Sequence, residues 1–164
     1  AHVHQTLMAE HLEHGHARRA ARLAVVRIAR DRAVAENIGK HIVKHPETKF
    51  VILYPPYNIM FWDDANPEKR DLCFDMLQMA LEYFGDMPNA EQYFFMDDYE
   101  VITNFEVYRD LGHYTPEINY RMFQDLAAGN YKVTKDQGIE RLEALRQFVN
   151  NYDFEALWKE YEGK

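Results

Sequence analysis

The chain of 164 residues contains no serine and a single cysteine, Cys73. One cysteine excludes both an internal disulfide and a CxxC metal or redox motif. Without serine, no serine nucleophile can come from these residues, although serine is among the commonest residues of globular proteins. No stretch approaches the roughly 18 consecutive apolar residues of a membrane-crossing helix. We therefore predict no membrane span in this chain.

The chain also lacks an initiator methionine and a charged-then-apolar signal peptide at Ala1. We expect an internal segment or a processed product of a longer protein. The formal net charge of −8 argues against a general nucleic-acid role, because such proteins present basic faces. A hydrophobic content of 47% is enough to build a core, and the length predicts one main domain.

The first 36 residues differ in composition from the rest. They contain no aromatic residue and no lysine, but they hold six arginines and five of the eight histidines. Against four acidic residues this stretch carries +2, so the remainder carries −10. We predict a helical segment at 1–36 outside the core and an α/β portion at 37–164. A helix is expected over 17–44, and a second copy of the chain is one candidate to cover its Val/Ile face.

The histidines and arginines of this segment suggest two binding functions, each with a simpler alternative. His11 and His14 are three apart, so a helix would place both imidazoles on one face, where zinc or nickel could bind. The simpler alternative is a solvated chain end, and we predict no metal site and no cofactor. The arginines suggest a helix that binds nucleic acid or anionic lipid; we favour a solvated face and predict no nucleic-acid partner. The residues are His2, His4, His11, His14, His16, Arg18, Arg19, Arg22, Arg27, Arg30 and Arg32.

The rest of the chain alternates strands and helices. Residues 50–54 form a continuous apolar run, which is typical of a strand buried on both faces, and 91–96 is a second strand. Apolar periodicity and capping residues predict helices over 67–84, 115–128, 135–150 and 154–161. We predict an α/β fold: a partial flavodoxin-like three-layer sandwich with a small parallel sheet of two or three strands and a helix-rich C-terminus.

Asp110 and His113 lie in a segment that follows the last of these strands and precedes a helix. Parallel α/β folds build their sites at this position. Residues three apart in a turn of roughly helical pitch lie side by side. The carboxylate then fixes one imidazole nitrogen and leaves the other to act as a general base. We predict this contact, with the imidazole facing a cleft beyond the strand ends; the alternative is a pair that only staples the loop.

The block Asp110-Leu-Gly-His113, with Tyr114-Thr-Pro-Glu-Ile-Asn119 after it, resembles the D-x-x-H block of SGNH (GDSL-type) esterases and acyltransferases. Those enzymes carry their catalytic Asp and His there, just before the last helix of the core. More narrowly, the run from Glu36 through 50–62 to His113 is similar to the C-terminal part of SGNH-like proteins of bacterial cell-envelope operons. These are distantly similar to the family that transfers D-alanine to teichoic acids. The resemblance covers residues 36–150.

The resemblance implies an ester hydrolase or acyltransferase that acts on cell-envelope polysaccharide, on the extracytoplasmic side of a bacterial envelope. It assigns His113 as the general base and Asp110 as the residue that orients it. The family's serine, its oxyanion-hole glycine and its G-x-N-D asparagine have no counterpart here, although Asn58 and Asn89 lie near strand ends. The chain alone is therefore predicted to be inactive, with the serine on a missing N-terminal half. The alternative is a non-catalytic binding or scaffold domain that keeps the fold without the nucleophile.

Further candidates lie at the ends of the predicted strands. We predict Tyr57, Asn58 and Trp62 as substrate-binding residues, because aromatic side chains beyond a strand end often stack on sugars or acyl groups. A loop folded onto the core is equally compatible with this segment. The pairs Asp63-Asp64 and Asp97-Asp98 lack EF-hand spacing and are interpreted as solvated turns. Cys73 is interpreted as a small core residue.

Overall fold

The structure, a computed structural model, describes residues 34–64 and 67–162. By spatial compactness the chain divides into two units, Ala1–His41 and Ile42–Lys164. Most of the segment predicted at 1–36, with its histidine and arginine clusters, lies outside the described residues. The helix expected over 17–33 and its partner therefore stay predictions.

The described elements alternate as an α/β chain does. A π-helical turn at Ala35–Gly39 runs into the first helix, which ends just before His45-Pro46 as predicted. The helices are α1 (Lys40–Lys44), α2 (Ile59–Asp64), α3 (Pro67–Gly85), α4 (Tyr99–Ile102), α5 (Pro116–Ala128), α6 (Lys135–Asn151) and α7 (Phe154–Glu162), with a 3-10 turn at Phe105–Val107. The strands are β1 (Phe50–Tyr54), β2 (Ala90–Phe94) and β3 (Lys132–Val133).

The three strands form one mixed sheet in the order β1-β2-β3. β1 and β2 are parallel, with Phe50 opposite Ala90 and Tyr54 opposite Phe94. β3 is antiparallel to β2. The predicted parallel sheet is therefore right for β1 and β2 and wrong for β3. Gly129, in the left-handed conformation at φ 78°, ends α5 and turns the chain back so that β3 enters in the opposite direction.

One face of the sheet packs against α3 and α6. The sheet contributes Tyr54, Phe94 and Val133 to a core with Phe74 and Leu142 from the two helices. Apolar burial of this kind is the main stabilising term of a small domain. Cys73 of α3 packs half-buried against the same core, in line with the interpretation from the sequence.

The side chain of Gln92 in β2 is a buried polar group on this face. The Tyr54 hydroxyl donates to its Oε1 at 2.6 Å, and its Nε2 donates to the carbonyl of Leu81 in α3 at 3.1 Å. Burial raises the pKa of the Tyr54 hydroxyl, so this hydroxyl stays a donor. The amide thus joins two strands and a helix.

The opposite face packs against α5. Tyr93 and Phe95 meet Ile118 and Met122 there. Val51 and Leu53 of β1 point to this side and are exposed in the described structure. The prediction that β1 is buried on both faces is therefore wrong, because α5 covers β2 and leaves the side chains of β1 open.

Candidate functional site

The loop between α4 and α5 is a short hairpin held by its own backbone. The N–H of Arg109 donates to the carbonyl of His113 at 2.8 Å, and the N–H of Thr115 donates to the carbonyl of Val107 at 2.8 Å. Residues 110–112 form the tip. Because the bond between Arg109 and His113 closes this tip, Asp110 at its start and His113 just after its end are held close together.

The hairpin docks on the segment that follows β1. The N–H of Asn58 donates to the carbonyl of Leu111 at 3.1 Å, and the Tyr108 hydroxyl donates to the carbonyl of Pro56 at 3.1 Å. Burial raises the pKa of the Tyr108 hydroxyl, so it keeps its proton for this bond. The tip therefore lies beyond the carboxyl end of β1, where the sequence places the candidate site.

The predicted contact between Asp110 and His113 is present. The Nδ1 atom of His113 lies 2.7 Å from Oδ2 and 2.9 Å from Oδ1 of Asp110. The Oδ1 atom also accepts the backbone N–H groups of Gly112 at 2.9 Å and of His113 at 2.8 Å. Asp110 thus closes an Asx turn with its own loop and holds the imidazole at the same time.

These donors lower the pKa of the Asp110 carboxyl, first the N–H of Gly112 and then the side chain and the N–H of His113. Hydrogen bonds to a carboxylate favour its charged form. An ionised carboxylate only accepts, so the neutral imidazole carries its proton on Nδ1. Its Nε2 then presents a lone pair, which is the form that a general base needs.

The imidazole itself lies in solvent, since the side chain of His113 is 82% exposed. The neighbouring cavity, of about 300 Å³, is lined by Asp110 and not by His113. The expectation that the imidazole faces a cleft is therefore wrong for this cavity. The side chain of His113 is more exposed than that of Asp110, 82% against 56%, and of the two only Asp110 borders the cavity.

The structure separates the three residues predicted to bind substrate. Asn58 is buried, accepts the N–H of Met60 at 2.9 Å and lines the cavity. Tyr57 stacks on Phe61 with ring centroids 4.7 Å apart and lies beside Gly112, where an added Cβ would be 3.6 Å from the ring. Each of these two residues therefore touches the loop or the cavity.

Trp62 is instead a core residue, and its placement corrects the prediction. Its side chain is 1% exposed and stacks on Phe74 with ring centroids 4.5 Å apart. The segment after β1 begins as an extended chain and then turns into α2, so Trp62 points inward. A ring enclosed in this way has no surface left for a substrate.

Sequence reasoning missed the wall of the cavity that α7 supplies. Leu157 and Trp158 line it together with Met60 and Phe105. The indole Nε1 of Trp158 donates to Oδ2 of Asp63 at 2.8 Å. Asp63 is therefore a hydrogen-bond partner of α7 and not only a solvent-exposed turn residue. The apolar residues of the last helix were a signal for packing, but nothing local indicates what they pack against.

Asp97 and Asp98 are likewise not solvated turns. Asp98 is buried, pairs with Arg121 and accepts the Tyr131 hydroxyl at 3.0 Å. Asp97 accepts Nε of Arg141 at 2.7 Å. Within residues 34–64 and 67–162, no group of three His, Cys, Asp or Glu side chains is arranged to hold a metal ion. These aspartates hold the end of β2 against α5 and α6.

Comparison of the chain with protein-family models, with curated proteins and with solved structures finds no match. The SGNH resemblance therefore stands on the residues that carry it and stays a prediction. Among the helices that the structure describes, none combines the length and apolar character needed to cross a bilayer.

Proposed function

We propose that this chain supplies the Asp–His half of an SGNH-type acyl-transfer site that acts on ester groups of a cell-envelope polysaccharide. The observation that carries the proposal is the contact between Asp110 and Nδ1 of His113, at 2.7 Å, on a loop beyond the carboxyl end of β1. The parallel β1–β2 pair with helices on both faces supports the proposal, and we propose that it belongs to a flavodoxin-like sandwich of the kind that such a site requires.

In the proposed reaction, Nε2 of His113 takes the proton from an attacking hydroxyl as that oxygen bonds to the ester carbonyl. The carboxylate of Asp110 stabilises the imidazolium that forms. The same proton then passes to the departing alcohol as the tetrahedral intermediate collapses. A positioned general base contributes about 10²–10⁴-fold. The serine and the donors to the oxyanion come from polypeptide outside these 164 residues.

The test uses the complete reading frame that encodes this chain. Its sequence upstream of Ala1 should contain a strand followed by Gly-x-Ser. The expressed protein should release acyl groups from an acylated polysaccharide and from p-nitrophenyl acetate. We expect His113→Ala to lower kcat by at least about 10²-fold, since the general base is lost, and Asp110→Asn to lower it through the wrong tautomer.

A matched control lies in the same chain. His45 and Glu47 form another exposed pair, with Nδ1 and Oε1 3.3 Å apart, outside the loop and the cavity. His45→Ala should leave kcat unchanged. Equal kcat values for the protein expressed from the complete reading frame and for its His113→Ala variant would overturn the proposal.

The second candidate is a binding or scaffold domain of the same fold without chemistry. The absence of serine from the chain favours it, as does a cavity that is lined mainly by apolar side chains. A complete reading frame without Gly-x-Ser and without ester turnover would select this candidate.

A further inference from the structure

We infer that the cavity beside Asp110 binds the acyl chain of the ester, and that this chain is apolar rather than aminoacyl. The inference rests on the proposed function, because it takes the reacting carbonyl to lie at His113. Asp110 belongs to both features: it holds the imidazole and it lines the cavity. A substrate whose carbonyl reaches His113 can therefore extend its acyl group past Asp110 into the cavity.

The size of the cavity fits a chain of several carbons. Its volume is about 300 Å³ and it is partly open to solvent, whereas an enclosed cavity of about 150 Å³ already binds benzene. An acetyl group would leave most of this volume unfilled. Burial of each further methylene stabilises a complex by about 0.8 kcal/mol, so length in the acyl group is rewarded until the cavity is full.

The residues that line the cavity determine which class of acyl group it binds. Met60, Phe105, Leu111, Leu157 and Trp158 provide apolar and aromatic surface. Such surface binds hydrocarbon well, whereas an ammonium loses hydration there that a cation–π contact with an aromatic ring offsets only in part.

The charged lining residues do not favour a cation either. Arg109 and Asp110 bring one positive and one negative charge, so their net charge is zero. The Asp110 carboxylate already accepts the N–H groups of Gly112 and His113 and the imidazole Nδ1. An aminoacyl ester would therefore bring its ammonium beside Arg109, where the one carboxylate of the lining already accepts three donors.

The wall formed by α7 provides a direct signal of occupancy. Trp158 is 50% exposed, whereas Trp62 is 1% exposed, and the chain has no third tryptophan. A ligand in the cavity therefore changes the emission of Trp158 and leaves that of Trp62 unaltered. Binding can be measured on the 164-residue chain without any catalytic step.

The experiment titrates the chain with methyl esters of acetic, butanoic, hexanoic and octanoic acids, followed by Trp158 fluorescence and by calorimetry. We expect the affinity to rise about fourfold for each added methylene until the cavity is filled. D-Alanine methyl ester should bind more weakly than methyl butanoate. An affinity that does not depend on chain length, or tight binding of D-alanine methyl ester, would overturn the inference.

Two leucines of similar exposure give a matched pair of variants. Leu111 lines the cavity and is 38% exposed; Leu53 lies on β1 outside it and is 41% exposed. We expect Leu111→Gln to weaken methyl hexanoate binding at least tenfold and Leu53→Gln to leave it unchanged. Trp158→Ala, measured by calorimetry, should also remove the dependence on chain length. Equal effects of the two leucine changes would mean that the esters bind elsewhere.

The acyl-transfer role and the acyl-binding cavity can be tested independently. A dependence on chain length that survives His113→Ala is expected, since His113 does not line the cavity. If catalysis by the complete protein depends on His113 but the affinity for the methyl esters does not depend on their chain length, the acyl-transfer role is retained and the acyl cavity is rejected. An ester series in the expected order, combined with catalysis that does not depend on His113, would reject the acyl-transfer role.

Discussion

Replacing Trp62 with alanine distinguishes a core residue from a substrate contact. A buried aromatic side chain removes about 150–250 Å² from water, which corresponds to about 4–6 kcal/mol. This is an upper bound, because denatured chains already bury part of that surface. Trp62 is 1% exposed and stacks on Phe74, so little of the cavity left behind can close. We expect a loss of about 3–5 kcal/mol in the free energy of unfolding, the usual range for such changes.

The assay is urea denaturation followed by far-UV circular dichroism, with wild type, Trp62→Ala and Trp158→Ala compared at the same pH and temperature. The Trp158 change is the control. Half of the Trp158 surface already faces water, so Trp158→Ala should lower the free energy of unfolding by less than about half as much as Trp62→Ala does. A Trp62→Ala protein within about 1 kcal/mol of wild type would refute the packing argument, because a buried stacked ring cannot be removed at so small a cost.

Three further predictions concern the loop and the helix ends. The 164-residue chain should hydrolyse p-nitrophenyl acetate without saturation and at the same rate after His113→Ala, with the N-terminal histidines replaced in both proteins; saturating turnover that vanishes in the variant would contradict this. Because donors lower the pKa of Asp110, its stabilising bonds are complete above the ordinary carboxyl pKa and are lost as the pH falls through the lowered value. The amide proton of Gly112 should therefore titrate in NMR spectra with a midpoint below the ordinary pKa of an aspartate, and an ordinary midpoint would argue against these bonds. Gly85→Ala places a Cβ 2.7 Å from the Cβ of Lys135, so urea denaturation should show a free energy of unfolding lower by about 1–3 kcal/mol. In Gly112→Ala the new Cβ has no atom nearer than 3.6 Å, so the free energy of unfolding should fall by less.

Elements with strong local signals could be predicted from the sequence almost to the residue. β1 begins at Phe50 and ends before the two prolines, and α5 begins at Thr115-Pro116 as expected. β3 could not be predicted, because two residues carry no periodicity and this strand exists through its pairing with β2. α2 was missed as well: buried Ile59 and Trp62 are three apart, but the prolines before them favoured an extended loop.

The site shows the same division between local and distant information. The contact between Asp110 and His113 spans three residues and follows from a turn. The cavity wall at Leu157 and Trp158 comes from more distant sequence, and the ion pairs of Asp97 and Asp98 depend on arginines of α5 and α6. Such contacts arise from the packing of whole helices, which the pattern of a single segment does not specify.

The buried amide of Gln92 has a consequence for how the strands find their alignment. The run Phe50–Tyr54 is apolar on both faces, so hydrophobicity alone would tolerate a shift of β1 by one residue against β2. Such a shift carries every side chain to the other face. The hydroxyl of Tyr54 would then lose the Gln92 amide, and each buried polar group left unpaired costs about 1–3 kcal/mol. The buried amide of Gln92 in this largely apolar layer therefore destabilises shifted registers of β1 against β2 and favours the native register.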